Sequence, residues 1–260
     1  MIKNVTDIGI MMSCFDEVEA VSFAIQELRN FYPENKIFVF NESKEDYSFL
    51  LEKDKNIKIK NDEDTMSFYY QYPIHEVYLL PEFQEKIQKA VLTFLNRIHQ
   101  TIEYTQGEYL LLMDPDVLIR GELNIPSNVN LLGSLRNRGV PYTTKKVLES
   151  VEGAIIIDEW GATPGIFKVE TFQKAYSKFI SIPNLLSQLT QSWSSFYAHD
   201  IIIPILFSLI GEREHLNTDF TECNSDPDWQ TNNKKLVHHY KKYYKDVETK
   251  FPFFKELPQL

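Results

Sequence analysis

Residues 107–116 read Gly-Glu-Tyr-Leu-Leu-Leu-Met-Asp-Pro-Asp, and this stretch decides the fold. Its unbroken apolar run, bounded by polar residues, is typical of a strand buried on both faces of a parallel sheet. Pro115 pushes Asp114 towards extended geometry and has no N–H for a sheet, so we expect the strand to end here. Because side chains of an extended chain repeat every two residues, Asp114 and Asp116 are expected to project to the same side.

Two carboxylates at the end of a buried strand have two possible explanations. Open α/β sheets bind ligands at the carboxyl ends of their strands, and paired carboxylates suit Mg²⁺ or Mn²⁺ holding a phosphate. The alternative is an acidic turn, because Asp-Pro-Asp is also good turn chemistry. The tripeptide alone favours the turn, and the sequence around it reverses that preference.

The chain around Asp114-Pro115-Asp116 resembles the nucleotide-sugar glycosyltransferases of the A-type (GT-A) fold, which carry a D-x-D signature at the end of a central strand. Leu95-Asn96-Arg97-Ile98, a helical stretch and Gly107-Glu108-Tyr109-Leu110 are similar to that family's approach to the signature. The weaker matches, in chain order, are a small-residue turn, an acidic position and a late histidine pair: Gly161–Gly165, His199-Asp200 and His238-His239.

Composition and patterning predict one α/β domain over residues 1–260. The chain is 43 % hydrophobic, enough for one sizeable core, and no linker or repeat divides it. The resemblance implies a Rossmann-like, mainly parallel central sheet flanked by helices, with a nucleotide-binding half (1–116) and an acceptor-binding half with a C-terminal tail (117–260). The net charge of −10 argues against nucleic acid as a partner, because phosphate backbones are bound by concentrated Lys and Arg.

The termini and cysteines predict a cytoplasmic protein, soluble or peripheral to a membrane. The first residues contain no apolar stretch long enough for a signal peptide. The longest apolar run, Ile201 to Ile210, contains Pro204 and is too short to cross a bilayer. Cys14 and Cys223 lack metal or redox spacing, which fits a reducing compartment and leaves a bridge between them open.

Periodicity predicts the elements around the central strand. A β-α-β-β opening runs from Ile8 to Lys60, and a long amphipathic helix from Pro81 to Tyr104 delivers the chain to Asp114. Beyond it we expect sheet and loops, with a buried strand over Ala154 to Ile157. Helices are expected after Lys168 and after Asp200.

The resemblance implies a donor-nucleotide site on the first half of the chain. Arg97 could face a phosphate or nucleobase, or it could be a solvent-facing arginine with its stem over apolar neighbours. Asn61-Asp62-Glu63-Asp64 follows the third strand, where related enzymes hold the nucleobase and ribose through a carboxylate; an acidic surface turn is the alternative. Donor contacts are further expected from three residues: Ser13 after the first strand, Asp114, and Lys241 near the diphosphate.

Acceptor and metal residues are implied by the second half. Trp160 could form a sugar platform beside the backbone of Gly161 and Gly165, with His199 nearby. Asp200 stands where inverting members carry the general base, although capping a helix would also explain it. His238, with His239 as its substitute, is expected as the third protein ligand of the metal beside Asp114 and Asp116; a surface histidine pair is the alternative.

These features predict a transferase that moves sugar from a nucleoside-diphosphate sugar, most simply a UDP-sugar, to a glycan or other hydroxyl acceptor with Mn²⁺ or Mg²⁺. A nucleotidyltransferase that makes nucleotide sugars is disfavoured, because Ser13-Cys14-Phe15-Asp16 lacks a Gly-rich basic loop. A metal phosphohydrolase built on His199-Asp200 needs further ligands that have no helical spacing here. A non-catalytic protein that binds carbohydrate or nucleotide through the same fold stays open, since one fold hosts many functions.

Overall fold

The computed structural model describes residues 7–14, 18–62, 81–135, 140–157, 160–193, 198–213, 215–216, 219–222, 228, 231 and 233–238. The helices of this part of the chain are α1 (Val18–Phe31), α2 (Phe49–Lys53), α3 (Pro81–Thr105), α4 (Tyr142–Glu149), α5 (Val169–Ser181), α6 (Leu185–Ser192) and α7 (Ala198–Leu209). The strands are β1 (Ile8–Cys14), β2 (Ile37–Asn41), β3 (Ile57–Asn61), β4 (Tyr109–Met113), β5 (Val117–Ile119), β6 (Leu131–Leu135), β7 (Trp160–Lys168), β8 (His215–Leu216), β9 (Phe220–Glu222) and β10 (Leu236–His238).

A seven-stranded sheet in the order β3-β2-β1-β4-β7-β6-β8 forms the centre of the fold. The half made of β3, β2, β1 and β4 is parallel throughout, while β7 runs antiparallel to both β4 and β6. The carboxyl ends of the four parallel strands therefore meet at one edge. The predicted α/β architecture with a mainly parallel, helix-flanked sheet is confirmed, and so is its β-α-β-β opening.

Strand β4 is buried on both faces, as its apolar run predicts. Leu110 and Leu112 pack into the cluster that includes apolar residues of α3, α5, α6 and α7. Tyr109, Leu111 and Met113 pack into the opposite cluster, which includes apolar residues of α1. The strand ends at Met113, so Asp114 is the first residue beyond the ladder.

Helix α3 delivers the chain to β4 through a tight turn. The helix ends at Thr105, and Gln106 takes a positive φ of 54°, which is typical of a residue that terminates a helix. Gly107 follows, and a Cβ there would lie 2.6 Å from the backbone nitrogen of Gly9. Glycine at this position therefore allows the turn to lie directly against β1.

A second sheet of three strands, in the order β5-β10-β9, lies beside the first. Strand β10 runs antiparallel to β5 and parallel to β9. Val117, Ile119, Phe220 and Leu236 from this sheet join the same apolar cluster as α1. The small sheet thus connects the chain just after Asp116 to its late segment.

Two predicted elements are wrong. Ala154 to Ile157 is not a sheet strand: the Ile155 N–H donates to Ser208 O at 2.9 Å and the Ile157 N–H to Ser208 Oγ at 3.0 Å, so the segment lies along α7. Gly161–Gly165 is not a turn but part of β7, where Gly165 pairs with Leu112 and Gly133.

Three helical predictions are confirmed. α3 covers the predicted Pro81 to Tyr104 stretch, α5 begins at Val169 directly after Lys168, and α7 covers the segment after Asp200. Within the described residues, no helix is both long and apolar enough to span a membrane.

Candidate metal centre and nucleotide-binding edge

Asp114 and Asp116 lie on a turn that begins where β4 ends. The Val117 N–H donates to Asp114 O at 3.1 Å, which closes a four-residue turn with Pro115 at its second position. The expected simple alternation of an extended chain does not hold here, because the chain turns at Pro115. The turn alternative is confirmed, yet it still brings the two carboxylates together.

Strand pairing brings His238 to this turn from the far end of the described chain. In the antiparallel ladder of β5 and β10, His238 lies opposite Val117, the residue after Asp116. The His238 Nε2 atom lies 3.3 Å from Asp116 Oδ1. One ligand atom each from Asp114, Asp116 and His238 lies within 4.8 Å of the others, and we call these three residues the metal centre.

The chemistry of the metal centre fits a divalent cation. Carboxylate oxygens are preferred by Mg²⁺ and Mn²⁺, and a single imidazole is compatible with Mn²⁺. The exposed fraction of the side chain is 6 % for Asp116 and 11 % for His238. Charges held this far from water need compensation, and a cation held between the carboxylates would supply it.

Arg97 lies on α3 beneath the same edge of the sheet, and only 1 % of its side chain is exposed. Its Nη1 donates to Glu42 Oε1 at 2.6 Å and its Nε donates to Asp62 Oδ2 at 3.0 Å. The guanidinium also lies 5.6 Å from the centre of the Phe40 ring. The solvent-facing alternative for Arg97 is therefore wrong, and we call Glu42, Arg97 and Asp62 the arginine cluster.

Backbone hydrogen bonds fix the arginine cluster to the ends of three parallel strands. The Glu42 N–H donates to Cys14 O at 2.9 Å, and the Asp62 N–H donates to Asn41 O at 2.9 Å. Ser13 is half-buried next to Cys14 on β1, so it lies at the carboxyl edge as predicted for a donor contact. The structure thus places Ser13, Asp62 and Arg97 along one edge of the parallel half-sheet.

Glu42 carries no strong sequence signal, because it is the first acid of the polar stretch Glu42-Ser43-Lys44-Glu45-Asp46. Its position directly after a buried strand was the available clue, since the carboxyl end of a central strand is where functional side chains collect. The structure adds it to the edge with 3 % of its side chain exposed.

The other predicted residues fall into two groups. Trp160, Gly161 and Gly165 lie on β7, and His199 and Asp200 lie in the first turn of α7, where a cap or a site residue can equally stand. Asp64, His239 and Lys241, as well as Cys223, lie outside the described residues. The roles of all of these, and a Cys14–Cys223 bridge, stay predictions.

The sequence matches no protein-family model and no curated protein. Solved structures resemble the fold at low identity. A galactosyltransferase, LgtC, in complex with donor and acceptor sugar analogues superposes with a TM-score of 0.56 at 12 % identity, covering 95 % of this chain and 94 % of that one. Core-mannan synthase A (CmsA/Ktr4) from Aspergillus fumigatus, in its Mn/GDP form, gives a TM-score of 0.54 at 10 % identity over 81 % of this chain and 72 % of that one.

A third structure, the mannosyltransferase Ktr4p from S. cerevisiae, gives a TM-score of 0.50 at 10 % identity, over 82 % of this chain and 69 % of that one. These neighbours are glycosyltransferases, and they share the architecture of the large sheet with this chain. The protein has the A-type glycosyltransferase fold.

Proposed function

We propose that the protein is a metal-dependent glycosyltransferase that moves a sugar from a nucleoside-diphosphate sugar to a hydroxyl group of a glycan or similar acceptor. The observation that carries the proposal is the metal centre, in which Asp114, Asp116 and His238 converge although 121 residues of chain separate Val117 from His238. The position of the centre, at the carboxyl end of β4, supports it, because open α/β sheets bind ligands there.

The metal centre would hold Mn²⁺ or Mg²⁺ through Asp116 and His238, with Asp114 orienting the ribose or an outer water. When bound, such a metal neutralises the charge that develops on the departing diphosphate. Ser13 and Asp62, on the same edge, are proposed to contact the nucleoside. UDP is the first nucleotide to test, and GDP is the second, because one structural neighbour is in a Mn/GDP form.

Asp200 is proposed to act on the acceptor, by removing the proton of the attacking hydroxyl. A positioned general base contributes about 10²–10⁴-fold to rate. Asp200→Asn should lower sugar transfer by that order while the affinity for nucleotide and metal stays near that of the wild type. Loss of nucleotide binding, or unfolding, would instead make Asp200 a donor contact or a helix cap.

The test of the proposed function is a screen of nucleotides and nucleotide sugars with and without Mn²⁺. A ligand that binds only the native state raises the melting temperature, and the expected result is a rise with a nucleoside diphosphate that depends on Mn²⁺. Transfer or slow hydrolysis of the matching nucleotide sugar should follow. Metal-dependent binding without turnover on any acceptor would favour the non-catalytic binding protein. Release of pyrophosphate from a nucleoside triphosphate would favour the nucleotidyltransferase.

A further inference from the structure

Glu42 is the most buried acid of the nucleotide edge, and nothing in the proposed reaction yet uses it. Its carboxylate accepts the hydrogen bond of Arg97 Nη1 at 2.6 Å, with exposed side-chain fractions of 3 % and 1 %. Such a pair is costly to form, because both ions lose their hydration. Apolar side chains of similar volume would serve the packing as well or better, so stability alone does not explain the pair.

The direction of the arginine cluster shows what the pair controls. Arg97 extends from the buried Glu42 towards Asp62, whose side chain is the most exposed of the three at 15 %. Its Nε donates to Asp62 Oδ2 at 3.0 Å, and Lys60 Nζ lies 3.7 Å from the same oxygen. Asp62 is therefore the end of the cluster that is nearest to solvent at the carboxyl edge.

The neighbouring side chains make this end of the cluster rigid. The Asn41 Nδ2 donates to Asn61 Oδ1 at 3.0 Å, which ties the last residues of β2 and β3 together just before Glu42 and Asp62. The Thr101 hydroxyl donates to Arg97 O at 2.8 Å one helical turn further along α3. Each partner of the guanidinium is thus held through its own backbone as well as through its charge.

We infer that Glu42 is a positioning residue for donor binding: it fixes the Arg97 guanidinium, which in turn holds the Asp62 carboxylate where it accepts hydrogen bonds from the hydroxyl or N–H groups of the nucleoside. The inference rests on the proposed function and deepens it. It also assigns Arg97 to the support of Asp62 rather than to the phosphates, because its charge is balanced by two carboxylates. Preorganised groups of this kind depend on partners that lock their orientation.

The first variant is Glu42→Gln, which keeps the shape and removes the charge. The affinity for UDP in the presence of Mn²⁺ should fall about tenfold, the lower end of the loss seen when an orienting partner is removed from a metal ligand. The affinity for Mn²⁺ alone should not change, because Glu42 is not part of the metal centre. An unchanged UDP affinity overturns the inference.

A matched control is Asp54→Asn. Asp54 pairs with Arg29 at 2.5 Å, but it precedes β3 and so lies at the opposite edge of the sheet. This control should lower the melting temperature and leave the UDP affinity at the wild-type value. A fall of UDP affinity equal to that of Glu42→Gln would mean that general loosening of the fold explains both, and would overturn the inference.

A double-mutant cycle tests whether Glu42 acts through Asp62. If it does, Glu42→Gln combined with Asp62→Asn should bind UDP as weakly as Asp62→Asn alone, because residues of one network are not additive. Independent, additive losses overturn the positioning role.

Glu42→Leu combined with Arg97→Met keeps the test decisive if the single variant does not fold. Replacing a buried ion pair by apolar residues is often neutral or stabilising, so this protein should fold while its UDP affinity falls like that of Glu42→Gln. Retained UDP affinity overturns the inference. If the wild type itself binds no nucleoside diphosphate with Mn²⁺, the proposed function fails as well; if the wild type binds and these variants bind equally well, only the role of Glu42 fails.

Discussion

The metal centre and the arginine cluster both bring two carboxylates together at the carboxyl edge of the large sheet, but they balance the charge in different ways. In the arginine cluster a guanidinium of the chain itself lies between the two acids, 2.6 and 3.0 Å from their oxygens. In the metal centre the third member is an imidazole, which must be neutral to bind a metal and then adds no positive charge.

This difference teaches which of the two groups needs a ligand. The arginine cluster carries its own cation, so its geometry and its contribution to stability should be present without any added component. The metal centre has a net negative charge when its histidine is neutral, and a bound cation would relieve it. Variants of the first group should therefore act on the protein alone, and variants of the second should act on its response to metal.

The largest expected effect is that of Asp116→Ala on function. Removing this carboxylate should abolish sugar transfer and Mn²⁺-dependent UDP binding, because two of the three proposed ligands cannot hold the metal in place. The free energy of unfolding without metal should change little, since a like-charge contact is also lost. Calorimetric titration of UDP with and without Mn²⁺ measures the first effect, and denaturant unfolding measures the second.

Glu108→Gln serves as the control for that measurement. Glu108 is exposed, lies just before the same strand and contacts only the partly exposed Lys168 among the ion pairs of the described residues, at 3.5 Å. It should leave metal-dependent binding unchanged, because exposed ion pairs contribute little. Metal-dependent UDP binding that survives Asp116→Ala would remove the metal centre from the proposal.

The next effect is on stability, from Arg97→Met. This change leaves Glu42 and Asp62 without the guanidinium, and breaking a buried pair from one side costs about 3–5 kcal/mol. The loss should be the same with and without Mn²⁺, in contrast to variants of the metal centre. Denaturant unfolding in both conditions decides it; a loss below about 1 kcal/mol would show that water reaches the cluster and compensates the acids.

The sequence predicted best those elements whose signal is local. The apolar run of β4 has one explanation at its length, and the helical period of α3 extends over many turns, so both were placed within a residue or two. The metal centre was reached only because a known family carries D-x-D and a late histidine. The ladder that places His238 opposite Val117 is a long-range pairing, and no local pattern encodes its register.

The failures have a common physical cause. Gly161–Gly165 has turn composition, but its neighbours β4 and β6 hold it in β7, where the register is irregular between Gly133 and Leu135. Glycine and proline inside a strand often mark such a bulge. Ala154 to Ile157 is apolar like a strand, and it instead donates hydrogen bonds to Ser208 of α7. Tertiary partners decided both segments, and a single sequence does not show them.

A smaller effect is expected from His238→Ala on stabilisation by metal. A ligand that binds only the native state adds about 2.7 kcal/mol at a concentration one hundred times its dissociation constant. His238→Ala should lose most of this increment at a fixed Mn²⁺ concentration, whereas Glu42→Gln should keep it. Melting curves with increasing Mn²⁺ measure the difference, and an equal response of the two variants would end the contrast between the two groups.

The smallest effect concerns His99, which lies two residues after Arg97 on α3 and shows a third way to accommodate a titratable group. It packs against Tyr176 and Phe172, with ring centres 4.4 and 5.4 Å away, and its Nε2 atom has no hydrogen-bond partner among the described residues. Burial lowers the pKa of His99, and the nearby Glu103 only partly opposes this shift. The imidazole is thus kept neutral rather than paired.

Because the pKa of His99 is lower in the folded protein, the unfolded chain binds more protons below about pH 6.5. The contribution of His99 to stability is therefore complete above that pH and is lost as the pH falls through it towards the folded pKa. The slope is at most about 1.4 kcal/mol per pH unit, since one proton is involved. His99→Leu should remove this slope while keeping the apolar contacts. Denaturant unfolding at pH 7.5 and 5.5 measures it, and the same pH dependence in both proteins would mean that His99 reaches solvent and titrates normally.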